Sequence, residues 1–174
     1  LELVHKDFDV PKEQMVFIAY GSEVYHPPKS LEGNLEAKYQ AWLQQHNLRD
    51  GEYYLIVGRF VPENNYELII REFMASSTKT DLAIISNVEK NKFYDQLVGN
   101  TGLLDDSRVK FIGTLYDQEL MKVIRSRARA YLHGHEVGGT NPSLLEALGS
   151  TNVNLVYGVS FNRAAAGNKK RYNK

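Results

Sequence analysis

The sequence predicts an α/β domain built on a doubly wound parallel sheet with helices on both faces. Two observations carry this. Short apolar runs recur along the chain, and amphipathic helical patterns lie between them. The runs are Met15 to Ala19, Tyr53 to Val57, Leu82 to Ile85, Val109 to Ile112, Ala130 to His133 and Asn154 to Tyr157. They are short, β-branched or aromatic, and continuous, as strands buried on both faces of a parallel sheet must be.

The intervening segments read as helices. Leu31 to His46 places Leu35, Tyr39, Trp42 and Leu43 on one face. Tyr66 to Met74 repeats Leu68, Ile69 and Phe73. Asn91 to Val98 and Asp117 to Arg127 follow the same spacing, the second with Leu120, Val123 and Ile124. Pro142 to Leu148 opens another. Strands alternating with helices imply βαβ units. Residues 1–14 read as a linker or incoming segment, and residues 15–174 as one domain.

Composition narrows the function classes. The 174 residues are 43% hydrophobic, enough for one self-sufficient core. Twenty-one basic residues balance twenty-one acidic ones, which argues against a nucleic-acid partner. No cysteine is present, so disulfides, thiolate zinc sites and a cysteine nucleophile are excluded. No apolar run approaches the ~20 residues of a membrane-spanning helix, and a cytoplasmic setting is expected. The chain starts at Leu1 and ends in the charged stretch Asn168-Lys169-Lys170-Arg171; both ends read as boundaries within a longer protein.

In a doubly wound sheet, ligands bind beyond the carboxyl ends of the strands. The first loop to inspect is Gly58-Arg59-Phe60-Val61-Pro62-Glu63-Asn64-Asn65. An arginine there can present a fork of donors to phosphate oxygens, or be a surface side chain. Asn64 and Asn65 can cap the next helix. The second loop is Gly134-His135-Glu136-Val137-Gly138-Gly139-Thr140-Asn141-Pro142-Ser143, followed by Leu144-Leu145-Glu146. Gly138 and Gly139 permit close approach of backbone to a ligand. Asn141 suits a cap and Pro142 the first helical position. The amides of Ser143 and Leu144, with the helix dipole, would then offer an anion site suited to a diphosphate. Glu146 lies one turn on and leans back toward that end, so it could accept from sugar hydroxyls. A well-capped helix with a polar glutamate is the plainer alternative. Asn87, after the third run, and Gly113-Thr114-Leu115, after the fourth, could contact a base or be simple turns. His133 with His135, and Asp7 with Asp9, lack a third placed ligand, so no metal site is expected. No Walker loop or Gly-x-Ser-x-Gly elbow occurs.

The Gly58-to-Asn65 loop resembles the Gly-Arg-Leu-x-x-x-Lys-Gly loop of family 4 glycosyltransferases of the GT-B fold. Gly138 to Glu146 lies where that family carries Glu-x7-Glu. The similarity is greatest to bacterial capsule rhamnosyltransferases of the beta-1,4 type. It extends over Phe17 to Gly21, Asn87 to Tyr94, Tyr116 to Leu120, His133 to Glu146 and Phe161-Asn162-Arg163.

This resemblance implies one Rossmann-like half of a GT-B fold, binding the nucleotide-sugar donor, a dTDP- or UDP-sugar such as dTDP-L-rhamnose. Transfer would retain anomeric configuration. The acceptor would be a lipid-linked glycan held by an N-terminal domain outside this chain, with peripheral membrane association of the longer protein. No cofactor or metal is implied. Arg59 and the backbone from Asn141 to Leu144 would hold the diphosphate, with Gly58, Asn64, Gly138, Gly139 and Thr140 around it. Glu146 would bind the ribose, and Gly113 to Leu115 would frame the base. Asn64 stands where the usual lysine is, Gly138 where the first glutamate is, and Ala164 where an acid often follows Phe-Asn-Arg. Sugar contacts would then fall to His135 or Glu136. A non-catalytic nucleotide-sugar-binding module and a GT-B-type epimerase are the rival readings.

Overall fold

A computed structural model describes residues 2–16, 18, 20–28 and 33–167. Five parallel strands form the sheet: β1 (Tyr53–Val57), β2 (Asp81–Ile85), β3 (Val109–Gly113), β4 (Ala130–His133) and β5 (Asn154–Val156), in the order β3-β2-β1-β4-β5. The helices are α1 (Glu2–Phe8), α2 (Gly33–Gln45), α3 (Tyr66–Ala75), α4 (Lys92–Thr101), α5 (Gln118–Arg127), α6 (Pro142–Ser150) and α7 (Ser160–Ala166).

Alternation along the strands divides the core between the two faces. Tyr53 and Leu55 of β1, with Ala83 and Ile85 of β2, pack against Tyr39, Trp42 and Leu43 of α2 and Val123 and Ile124 of α5. Ile56, Leu82 and Ile84 face the other way, onto Tyr66, Ile70 and Phe73 of α3 and Leu97 of α4. The buried tyrosines keep partners for their hydroxyls: Tyr53 donates to the Ile124 carbonyl at 2.7 Å, and Tyr39 donates to Asp50 at 2.8 Å. Among the described residues, side-chain caps start three helices. Asn91 accepts from Tyr94 N–H, Asp117 from Leu120 N–H, and Asn141 from Ser143 N–H.

Five of the six apolar runs are strands. The run Met15 to Ala19 departs from expectation. Met15, Val16 and Ile18 lie outside the sheet, and Val16 and Ile18 are 78% and 82% exposed; Phe17 and Ala19 fall outside the described residues. A β-branched run becomes a strand only where a sheet edge receives it, and none of the five strands pairs with the described residues of this one. The expected linker contains α1 and a 3-10 turn at Lys12–Gln14. The first long helix begins at Gly33, since Leu31 lies outside the described residues, as does the basic stretch from Asn168. Helix α7 was not anticipated from periodicity. Among the described residues, no helix is long and apolar enough to cross a membrane.

Candidate functional site

The order β3-β2-β1-β4-β5 reverses direction between β1 and β4, and there the loops on either side diverge. Strand β1 pairs with β2 over its whole length, Tyr53 to Val57. With β4 it pairs only at Tyr54↔Ala130 and Leu55↔Tyr131. Beyond that point the strands splay. The Val57 carbonyl receives the Tyr131 hydroxyl and the Ser143 hydroxyl, each at 3.0 Å. Burial pushes the Tyr131 phenol up, so it stays protonated and able to donate.

The splay opens a cavity of about 450 Å³. Its walls are Gly58, Arg59 and Asn64 from the β1 loop, His133 to His135 from β4, and Gly139 to Ser143 leading into α6. That volume suits a small organic ligand. Arg59 is exposed at the mouth, and among the described residues its guanidinium meets no carboxylate. The loops that the sequence marked as informative are thus brought together, although some 70 residues separate them.

The two asparagines act differently from the capping expected of them. Asn65 stands at the helix-start position in the left-handed conformation (φ 53°), with no cap bond from its side chain. Its Nδ2 instead donates to the Gly134 carbonyl at 2.8 Å and to Glu136 Oε2 at 2.9 Å. Asn64 donates to the Arg59 carbonyl at 2.6 Å and accepts from His135 Nδ1 at 2.9 Å. The Glu136 N–H donates to the Glu63 carbonyl at 3.0 Å. The β1 loop is therefore latched to the β4 loop by polar bonds. Gly134 permits the approach: a Cβ there would lie 2.2 Å from the Asn64 carbonyl oxygen.

At α6 a second expectation is corrected. The Ser143 amide is not free, because Asn141 Oδ1 accepts from it at 2.9 Å, and the Leu144 amide bonds the Asn141 carbonyl at 3.1 Å. The cap consumes the donors it was expected to leave open. The cavity is lined here by Gly139, Thr140, Asn141, Pro142 and Ser143, at the positive end of the helix. Leu144 is fully buried. Gly138 adopts φ 122°, a conformation glycine tolerates.

Glu146 is not among the cavity's lining residues. Its carboxylate pairs with Arg125 Nη2 at 2.6 Å, and both line a smaller groove of about 230 Å³ with Gly21 to Glu23, Tyr25, Gln118, Lys122 and Ser150. Asn87, which donates to Glu89, and Gly113, Thr114 and Leu115 sit at the carboxyl ends of β2 and β3, outside both. Glu136 is turned toward Asn65 rather than lining the cavity.

Sequence reasoning missed Tyr131 and Arg125, the close approach of backbone at Gly134 and the latching role of Asn65. Gly134 had a signal, a glycine between two histidines at a strand's end. Tyr131 had none, since it reads as one more apolar strand residue. His133 lines the cavity yet is 6% exposed; burial first, and then neighbouring His135, push its imidazole down to about 4. Among the described residues, no group of three or more His, Asp or Glu is gathered for a metal.

No protein-family model and no curated protein sequence matches the chain. Solved structures do match. The C-terminal domain of a group 1 family glycosyl transferase from Francisella tularensis superposes with TM-score 0.60 at 17% identity, over 87% of this chain and 74% of that one. An alpha,alpha-trehalose-phosphate synthase (UDP-forming) from Burkholderia vietnamiensis gives TM-score 0.53 at 10% identity, over 76% of this chain and 35% of that one. The chain thus spans about a third of the length of such synthases, 31% to 36%. Likeness at these identities concerns architecture. The five-stranded parallel sheet and its flanking helices have the Rossmann-like fold found in GT-B glycosyltransferases.

Proposed function

We propose that the chain binds the nucleotide-diphosphate sugar donor of a retaining glycosyltransferase. The observation that carries this is the cavity at the β1/β4 reversal, with Arg59 at its mouth and the start of α6 in its wall. Both place positive charge where a diphosphate would lie. As the sugar–phosphate bond breaks, negative charge grows on the departing phosphate. Arg59 and the helix end would stabilise it, without a metal, to the extent that their contacts strengthen with that charge. Arg59 is thereby the group with a direct catalytic role in this half of the enzyme.

The finer reading rests on the sequence resemblance, chiefly His133 to Glu146. It is transfer of L-rhamnose from dTDP-rhamnose to a lipid-linked glycan, by the longer protein with its acceptor domain. Glu146 belongs to this reading as the ribose contact. It lines the smaller groove one helical turn along α6 from Ser143 in the wall of the larger cavity, which supports a nucleoside lying across α6 with the diphosphate in that cavity.

A thermal-shift panel of dTDP, UDP and GDP, each with and without a sugar, tests the proposal. A ligand at a hundred times its dissociation constant adds about 2.7 kcal/mol to stability. A rise in melting temperature with one base class is expected. No rise with any diphosphate overturns the reading.

A further inference from the structure

We infer that His135 binds the diphosphate through Nε2 and takes up a proton there as the ligand enters. This rests on the donor-binding reading above and adds a proton to it.

The hydrogen bonds of Asn64 fix the tautomer. One end of its carboxamide lies 2.6 Å from the Arg59 carbonyl, which only accepts, so that end is the NH2 group. The end facing His135 Nδ1 at 2.9 Å is therefore the oxygen, which also only accepts. Nδ1 must carry the hydrogen. A neutral imidazole has one N–H, so Nε2 is bare. A bare nitrogen repels phosphate oxygens. Once protonated it becomes a cationic donor.

The ring is held in this orientation. Asn162 of α7, fully buried, donates to the His135 carbonyl at 2.7 Å, and Phe161 meets the imidazole edge-on at 5.8 Å. His135 lines the cavity with Arg59, Gly139 and Thr140. Its Nε2 lies 3.5 Å from where a Cβ on Gly138 would be, so any side chain at that position would come into contact with the nitrogen.

The charged neighbours leave the ring's charge to the ligand. Arg59 is the cation across the cavity. His133, 6.1 Å away ring to ring, is kept neutral by its burial. Glu136, the nearest acid in sequence, is engaged by Asn65. Arg163 of α7 is exposed and has a partner of its own, and the cavity residues leading into α6, Thr140, Asn141, Pro142 and Ser143, are all neutral. Among the described residues no carboxylate pairs with His135. An incoming diphosphate would be the first anion to favour the imidazolium.

Calorimetry with UDP-glucose and dTDP-glucose, in two buffers of different ionisation enthalpy from pH 6 to 8.5, reads the effect. The diphosphate of a nucleotide sugar is fully ionised over that range, so any proton taken up belongs to the protein. The wild-type chain should take up a fraction of a proton near pH 7.5. Its affinity should fall with rising pH, approaching tenfold per unit at most. His135→Asn keeps a donor near Nδ1 but has nothing at Nε2; it should bind weakly and without proton uptake. His135→Gln places a neutral donor near Nε2; it should bind more tightly than His135→Asn, again without uptake. Wild-type binding without uptake, or uptake unchanged in both variants, overturns the inference. So does a nitrogen-15 spectrum of the free protein showing the hydrogen of His135 on Nε2. If neither nucleotide sugar binds the wild type, the donor-binding reading itself falls.

Discussion

Arg125 and Glu146 meet at 2.6 Å between α5 and α6, the arginine nearly sealed from solvent and the glutamate half in it. The pair is therefore asymmetric. Glu146→Ala would strand a buried guanidinium and should cost about 2 kcal/mol, below the full buried-pair figure because Glu146 is partly hydrated. Arg125→Met combined with Glu146→Gln should be milder than Glu146→Ala, since no charge is left unpaired. Urea unfolding of the variants checks the order. A fully stable Glu146→Ala would show that water already serves Arg125. Loss of nucleotide binding in Glu146→Ala is meaningful only beside this measurement.

Gly134→Ala should damage the fold and the cavity together. The added methyl would meet the Asn64 carbonyl oxygen at 2.2 Å and Ile69 Cδ1 at 2.9 Å. The side chain of Ile69 can move, but the main-chain carbonyl is tied into the loop latched to β4. A cost of about 3 kcal/mol is expected, at the high end for overpacking. A melting temperature equal to wild type would mean the two loops separate easily, and the latch would then be weak.

His133 should make the protein acid-sensitive. Its native imidazole titrates at about 4, whereas the unfolded chain's does so near the ordinary 6.5. Between those values the unfolded chain binds more protons. The stability is thus present above pH 6.5 and is lost as pH falls toward 4, by about 1 kcal/mol per unit. His133→Leu should flatten the profile from pH 7 to 5 in denaturant titrations. An equally steep decline in that variant would assign the acid sensitivity elsewhere.

Arg59→Ala should weaken nucleoside diphosphate binding by roughly 10- to 100-fold, the scale of a charge-assisted contact. Nucleoside binding should not change, because the side chain is at the mouth of the diphosphate cavity. Isothermal calorimetry separates the two. Equal losses for nucleoside and diphosphate would remove Arg59 from the phosphate role.

The fold was legible because burial on both faces leaves an unmistakable trace. Tyr53 to Val57 and Ala130 to His133 coincide with β1 and β4 to the residue. Met15 to Ala19 carries the same local trace but lacks a sheet edge, and pairing is a property of the whole molecule. The site was legible as two loops. What each residue does within them was not. Asn65 looks like a helix cap in sequence, yet the Gly134 carbonyl, 69 residues away, gives its amide a better use. Asn141 does cap α6, and for that reason the Ser143 amide is spent. A single sequence shows which groups can bond locally, but not which distant groups will compete for them.

The splay between β1 and β4 divides labour within the cavity. Val57, Tyr131, Ser143, Asn64 and Asn65 hold the opening in shape through bonds to one another and to main chain. Gly139 and Thr140 also border the space, and neither contributes a side chain to those bonds. Selection for a new sugar or leaving group can therefore act on the second set at small cost to folding. The first set is constrained whatever the ligand. Specificity can change at Gly139 and Thr140 while the bonded frame and Arg59 stay, so related chains should diverge first at those two positions.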